Sequence, residues 1–259
     1  VTRNNELVTL RDGKVQWRKN LPAQSFTAPL VAGARVFVLT ADRSVIAFDG
    51  ATGQQLWTQQ RPGEPLVLKQ AGVILAFKNT LLVGLSGRLA GLDPSTGVIR
   101  WESAIATPRG TNDIERLVDL VAPFDRLGDV VCVRAFQAAV GCVNAERGQG
   151  VWTRPSSGEM GVSGNETLLV ASLSNGVVQA FNRSNGERLW DTERLKYRSL
   201  SAPMVTPRGV LVADNGGWLY VLSLADGALL NRVKLDSEEL VTAPVFAGGR
   251  YVVVTREGR

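Results

Sequence analysis

Histidine is absent from all 259 residues, which removes the side chain most often used as a general base near neutral pH. A histidine-based catalytic triad is excluded with it. Cysteine is nearly as scarce. Cys132 and Cys142 are the only two, too few to complete a usual structural zinc site. They flank a hairpin expected near Gln137, which sets them on adjacent strands. Two reduced thiols in a core are the plainer reading of such a pair; a disulfide in an oxidising compartment is the other, and directly opposed strand positions suit it only marginally. No run approaches the roughly 18 apolar residues that a membrane-spanning helix needs. Only six of the 29 basic residues are lysine, and the arginines (Arg3, Arg18, Arg35, Arg43, Arg61, Arg88 and Arg100 among them) recur singly, with no basic run. The net charge of +5 therefore reads as dispersed surface charge, and no nucleic-acid partner is expected. The sequence also lacks a phosphate-cradling glycine loop and an acidic cluster able to cage calcium, so neither a cofactor nor a catalytic metal is expected.

Glycine, by contrast, is plentiful at 27 residues, and it falls in a pattern. Similar phrases close on Trp17, Trp57, Trp101, Trp152 and Trp190, four of them reading Gly-x-x-x-Trp: Gly53 to Trp57, Gly97 to Trp101, Gly148 to Trp152 and Gly186 to Trp190. The intervals between these tryptophans are 40, 44, 51 and 38 residues, and Gly227 opens a further copy with Leu230 in the tryptophan slot. Trp218 stands outside the register. Upstream in each unit come an Ala-Pro phrase (Thr27-Ala28-Pro29, Ser201-Ala202-Pro203), a glycine turn and a β-branched run such as Arg35-Val36-Phe37-Val38-Leu39. A polar tight turn and a second run then lead to Asp or Asn before the final turn. Short runs bounded by turn residues are the signature of strands and hairpins. Four such strands fit in about forty residues, which predicts an all-β fold of β-propeller blades. The phrase's glycine permits a left-handed turn residue, and its tryptophan has a large apolar area to bury against a neighbouring blade.

The expected units run over 26–60, 66–103, 118–154, 159–192 and 200–232, with partial blades at 1–20 and 240–259, all within one propeller domain. The two end pieces either combine into one blade or belong to a longer ring, and periodicity alone leaves both open. The 51-residue interval marks an inserted inter-blade loop over 104–117, and insertions in repeat proteins are often functional. Asn112 or Asp113 is positioned to cap a short helical turn carrying Ile114, Arg116 and Leu117. The unit before it opens with Glu64-Pro65-Leu66-Val67-Leu68-Lys69-Gln70 in place of the Ala-Pro phrase. The alternation of Leu66, Val67 and Leu68 suits either a blade strand buried on one side or a pair of exposed apolar anchors.

The Asp-x-x-Thr-Gly-x-x-x-Trp phrase, at Asp49 to Trp57 and Asp93 to Trp101, is similar to the repeat of quinoprotein-like propellers. More specifically, Asn112-Asp113-Ile114-Glu115-Arg116-Leu117-Val118-Asp119, Leu195 to Pro203, and Asp214-Asn215-Gly216-Gly217-Trp218-Leu219-Tyr220 resemble the BamB family of outer-membrane assembly factors. That resemblance implies an eight-bladed ring at the periplasmic face of the outer membrane in a Gram-negative bacterium, of which this sequence is a trimmed portion. It implies a lipid anchor at an amino-terminal cysteine that this chain does not include. It also implies a scaffold of the β-barrel assembly machinery that meets the POTRA domains of BamA, with unfolded outer-membrane proteins as further partners. The family's two docking loops fall here on Leu66, Leu68 and Lys69, and on Asp119 and Val121, with Arg116 beside them. Lys69 replaces an arginine and loses its bidentate fork, while Val121 removes a carboxylate outright. Two other functions share this fold. A quinone-dependent dehydrogenase would want vicinal cysteines and a calcium-associated acidic site; a general peptide-binding propeller would want a groove or an open strand edge.

Overall fold

The computed structural model describes residues 1–61, 66–109, 111–112, 116–235 and 244–254. Strands and turns dominate it, as the short bounded runs predict. A hairpin of β1 (Glu6–Arg11) and β2 (Lys14–Asn20) comes first. Five four-stranded antiparallel sheets follow, each with its strands in chain order. They are β3 (Leu30–Ala32), β4 (Arg35–Leu39), β5 (Ser44–Asp49), β6 (Gln55–Gln60); then β7 (Ile74–Phe77), β8 (Thr80–Leu85), β9 (Arg88–Leu92), β10 (Ile99–Ala104). The third holds β11 (Leu120–Leu127), β12 (Val130–Ala135), β13 (Ala139–Asn144), β14 (Gln149–Pro155). The fourth holds β15 (Val162–Gly164), β16 (Leu168–Ser172), β17 (Val178–Asn182), β18 (Arg188–Thr192). The fifth holds β19 (Met204–Thr206), β20 (Gly209–Ala213), β21 (Trp218–Leu222), β22 (Leu229–Lys234). A hairpin of β23 (Val245–Ala247) and β24 (Arg250–Val252) is last. These sheets resemble propeller blades, with the two middle strands most deeply buried: β4, β5, β12, β13, β16, β17 and β20 are almost wholly inside. The chain divides into two compact units, 1–120 with 145–148, and 121–144 with 149–259.

Within each unit the tryptophan phrase forms a rung between neighbouring sheets. In the first unit, Trp17 lies on Gly53, Trp57 on Gly97 and Trp101 on Gly148; in the second, Trp152 lies on Gly186 and Trp190 on Gly227. All five glycines have φ between +68° and +76°, and a Cβ at any of them would stand 2.5–2.6 Å from an indole carbon. The glycine is thus required twice, by its left-handed backbone and by the flat face it offers the ring. Four indoles also donate a hydrogen bond to the turn beneath them: Trp17 to Gly50 O, Trp57 to Pro94 O, Trp152 to Arg183 O and Trp190 to Leu224 O, at 2.8–3.2 Å. The turn is tied by its first residue. The Asp49 carboxylate accepts from the Ala51 and Thr52 amides and the Thr52 hydroxyl, which holds it below the usual carboxylate range. Asp93 does the same with Ser95 and Thr96 while paired to Arg100. Trp17, Trp152 and Trp190 are buried, and Trp57 and Trp101 half-buried. Leu230, in the tryptophan slot of the last copy, is 58% exposed.

Two readings of side chains are corrected by the packing. Cys132 and Cys142, directly opposed in the β12–β13 register, are joined in a disulfide inside a buried cluster with Val140, Trp152 and Phe181. Close non-hydrogen-bonded pairing brings the two sulfurs together, so the expectation of reduced thiols does not hold. Arginine is not confined to the surface either. Arg134 on β12 is fully buried and donates to the Ser156 and Ser172 carbonyls. Burial pushes its pKa down to about 10, so it stays charged at neutral pH and serves as a tie between strands.

Candidate functional site

The two segments that depart from the repeat, 66–70 and 116–119, meet in the first unit, and a third element brings them together. The β4–β5 turn of Thr40-Ala41-Asp42-Arg43 is closed by the Arg43 amide donating to Thr40 O at 3.0 Å, with Arg43 at φ +62°. The Asp42 carboxylate accepts from the Thr40 hydroxyl and the Ser44 amide and so fixes the turn. From there the Arg43 guanidinium donates to both Asp119 carboxylate oxygens, Nε to Oδ1 at 3.2 Å and Nη2 to Oδ2 at 3.3 Å, and to the Leu66 carbonyl at 2.9 Å. The ion pair is largely sheltered, Arg43 at 11% and Asp119 at 20% side-chain exposure. A planar fork that grips a carboxylate and a carbonyl together is a task for arginine, and lysine would lose half of it.

Around this clamp, Leu66 is exposed at 38% and Leu68 half-buried, in irregular chain ahead of β7. The strand reading of Leu66 to Leu68 therefore gives way to the exposed one for Leu66. Lys69 and Arg116 are exposed. The Arg116 amide donates to Asn112 O at 3.2 Å, the spacing of a single helical turn, while the suggested cap Asp113 and Ile114 lie outside the described residues. Both ends of the inserted loop press on Gly87, where a Cβ would meet Ala106 O at 2.7 Å and a Val118 methyl at 2.8 Å. Two expected site residues change character. Asp119 is an internal strut held by Arg43 rather than a free rim charge. Val121, 1% exposed, offers a partner nothing to touch.

Arg43 was not singled out by reading the loops, yet the sequence carries a signal for it. Six positions before the turn residues Asp93, Asn182 and Ser223 stand Gly87, Gly176 and Gly217, all with positive φ; six before Asp49 stands Arg43. Arginine there accepts a strained backbone that glycine would take freely, and the side chain is what the strain secures. Among the described residues no group of three or more acidic, cysteine or histidine side chains could hold a metal.

A family model described as outer membrane protein assembly factor BamB matches residues 1–192 and 174–259. The BamB of Burkholderia pseudomallei is 34% identical over 249 residues, covering 95% of this chain and 65% of that protein. The BamB of Bordetella pertussis is 31% identical over 260 residues, covering 99% and 67%. The chain thus spans about two thirds of the length of these curated relatives. The crystal structure of BamB from Moraxella catarrhalis superimposes with a TM-score of 0.91 at 24% identity, over 99% of this chain and 78% of that one, a likeness of fold. Matched by the family model from end to end and by relatives 34% and 31% identical over nearly its whole length, the chain belongs to the BamB family of outer-membrane protein assembly factors.

Proposed function

We propose that this chain is a non-catalytic scaffold of the machinery that assembles β-barrel proteins into the outer membrane, working on its periplasmic side and docking on the POTRA domains of BamA. The observation that carries the reading is the Arg43 clamp, which joins the Leu66 segment to the Asp119 segment as one sheltered, pre-arranged surface. A surface already ordered before binding loses less freedom on association than two independent loops would. Leu66 is its apolar anchor, Leu68 supports the anchor from a half-buried position, and Lys69 and Arg116 supply a cationic rim that steers an acidic partner face. The disulfide suits an oxidising compartment such as the periplasm.

The dehydrogenase reading is weaker on two counts. The cysteines are opposed across a hairpin and not vicinal, and Asp49 and Asp93 each spend Oδ1 on backbone amides of their own turns, with Asp93 Oδ2 paired to Arg100. The test is a titration of the isolated POTRA domains of the cognate BamA against folded variants. Leu66→Ala is expected to weaken binding by ~1–3 kcal/mol, and Lys69→Glu to weaken it in a salt-dependent way. Undiminished affinity in both, beside a wild type that binds, would remove this surface from the function.

A further inference from the structure

We infer that the second unit carries a separate docking surface, centred on Tyr197 and Trp218, for an acidic polypeptide segment bearing aromatic side chains. The inference does not rest on the POTRA reading.

The connection between β18 and β19 holds Tyr197 at 89% exposure with φ +68°, a backbone state that costs a bulky residue energy and would suit glycine better. The residue is nonetheless held firmly. Its amide donates to Asn175 O at 2.7 Å, and the Arg198 amide donates to Leu195 O at 3.2 Å. The turn rests directly on Gly176, where a Cβ would stand 2.2 Å from Leu195 O and 2.9 Å from the Arg198 amide nitrogen. Leu195, 2% exposed, pins the connection into the core of the two adjoining sheets. A large aromatic ring is therefore displayed to solvent on a backbone fixed from below, which is the arrangement of a pre-ordered anchor.

Cations outnumber acids among the described residues around it. Lys196 lies 5.8 Å from the Tyr197 ring. Arg232 and Lys234, on the exposed strand β22, lie 4.9 and 5.2 Å from the ring of Trp218, the one tryptophan outside the repeat register. Arg198 lies 5.6 Å from the Tyr220 ring. Two described carboxylates here are already engaged, each with one of these cations, which leaves Arg232 and Lys234 as the charges offered to a partner. Asp214 accepts from the Gly216 and Trp218 amides on one oxygen and from the Tyr220 hydroxyl and Arg198 on the other. Glu193 pairs with Lys196. Cations backed by aromatic rings, with the local acids spent internally, complement a partner that brings carboxylates and offers rings to stack against. An acidic, aromatic polypeptide meets both demands, whereas an anionic lipid surface meets only the first.

The experiment uses the full chain and a fluorescein-labelled peptide of alternating aspartate and phenylalanine, read by fluorescence anisotropy at near-physiological salt. Binding is expected to fall about tenfold or more in Tyr197→Ala and in the double variant Arg232→Glu/Lys234→Glu, and to fall likewise when the peptide's aspartates become asparagines. Tyr197→Gly, which relieves the backbone while removing the ring, keeps the fold and should lose binding to the same degree. Equal affinity across these folded variants, or no binding by wild type, overturns the proposal. Binding of phosphatidylglycerol vesicles without binding of the peptide overturns it in favour of a lipid-facing surface.

Discussion

Two kinds of position in this repeat behave in opposite ways. The glycines beneath the tryptophans never vary across five rungs, and each is pressed by an indole to a distance that no Cβ could share. The position six before the turn residue is also glycine at 87, 176 and 217, but at 43 it is arginine. At Gly176 the following connection closes on the backbone itself, so no side chain fits. At Arg43 a left-handed backbone is kept and a long side chain reaches outward to hold Leu66 and Asp119. The contrast teaches where this fold can be altered at little expense. A rung position is filled from a neighbouring sheet, whereas a hairpin turn borders a connection whose path can vary, and there one repeat has exchanged conformational ease for a new contact.

The largest expected effect tests the rungs. Trp152→Ala should lower unfolding free energy by ~3–5 kcal/mol, since it removes a buried ring that stacks on Gly186 and Phe181. Chemical denaturation measures this. A loss under about 1 kcal/mol would mean that the rungs are not the seams. Next comes the reciprocal pair at the turn. Gly176→Arg should cost at least about 2 kcal/mol from clash and positive φ. Arg43→Gly should change stability by no more than about 1 kcal/mol, because relieved backbone strain offsets the lost pair, yet it should weaken POTRA binding. Equal destabilisation by the two would break the comparison.

A pH titration sharpens it further. Burial pushes the Asp214 carboxyl up, but hydrogen bonds from the Trp218 amide, Tyr220 and Arg198 outweigh it and hold the group below its ordinary 3.8. A depressed carboxylate contributes stability that is complete above the unfolded value and is lost as pH falls through the folded one. Wild type should therefore lose melting temperature below about pH 4 more steeply than Asp214→Asn, with parallel curves above about pH 5. The smallest effect is reserved for Leu230→Ala, at under about 0.5 kcal/mol, because this side chain is 58% exposed where other repeats bury an indole.

The sheets were legible because each repeat's share of two rungs is written locally: turn residue, glycine and tryptophan fall within nine residues from Asp49 to Trp57, although each indole packs on the next repeat's glycine. The segments proposed for docking were legible as interruptions of that rhythm. The clamp was harder to see, because Arg43 lies 76 residues from Asp119 and inside a turn that looks ordinary until it is aligned with its three glycine counterparts. The Cys132–Cys142 bond escaped for a different reason. Opposition about Gln137 was evident and the register bears it out, but directly opposed strand positions suit a disulfide only marginally, which made reduced thiols the plainer reading. The loss of a carboxylate at Val121 was legible, but its burial was not, since an apolar side chain beside a loop packs inward or outward according to contacts distant in sequence.

Every rung runs forward along the chain: each indole is covered by a glycine of the repeat made after it. A chain that emerges amino-terminus first into the compartment where it folds therefore shows each finished sheet with its tryptophan bare until the next turn follows. For Trp152 the cover is Gly186; for Trp101 it is Gly148, further downstream because the inserted connection intervenes. The Trp101 wait spans 47 residues against 34 for Trp152, the longest of the five rungs described. The insertion beside the proposed docking surface thus also creates the longest interval in which one hydrophobic ring is open to the wrong neighbour.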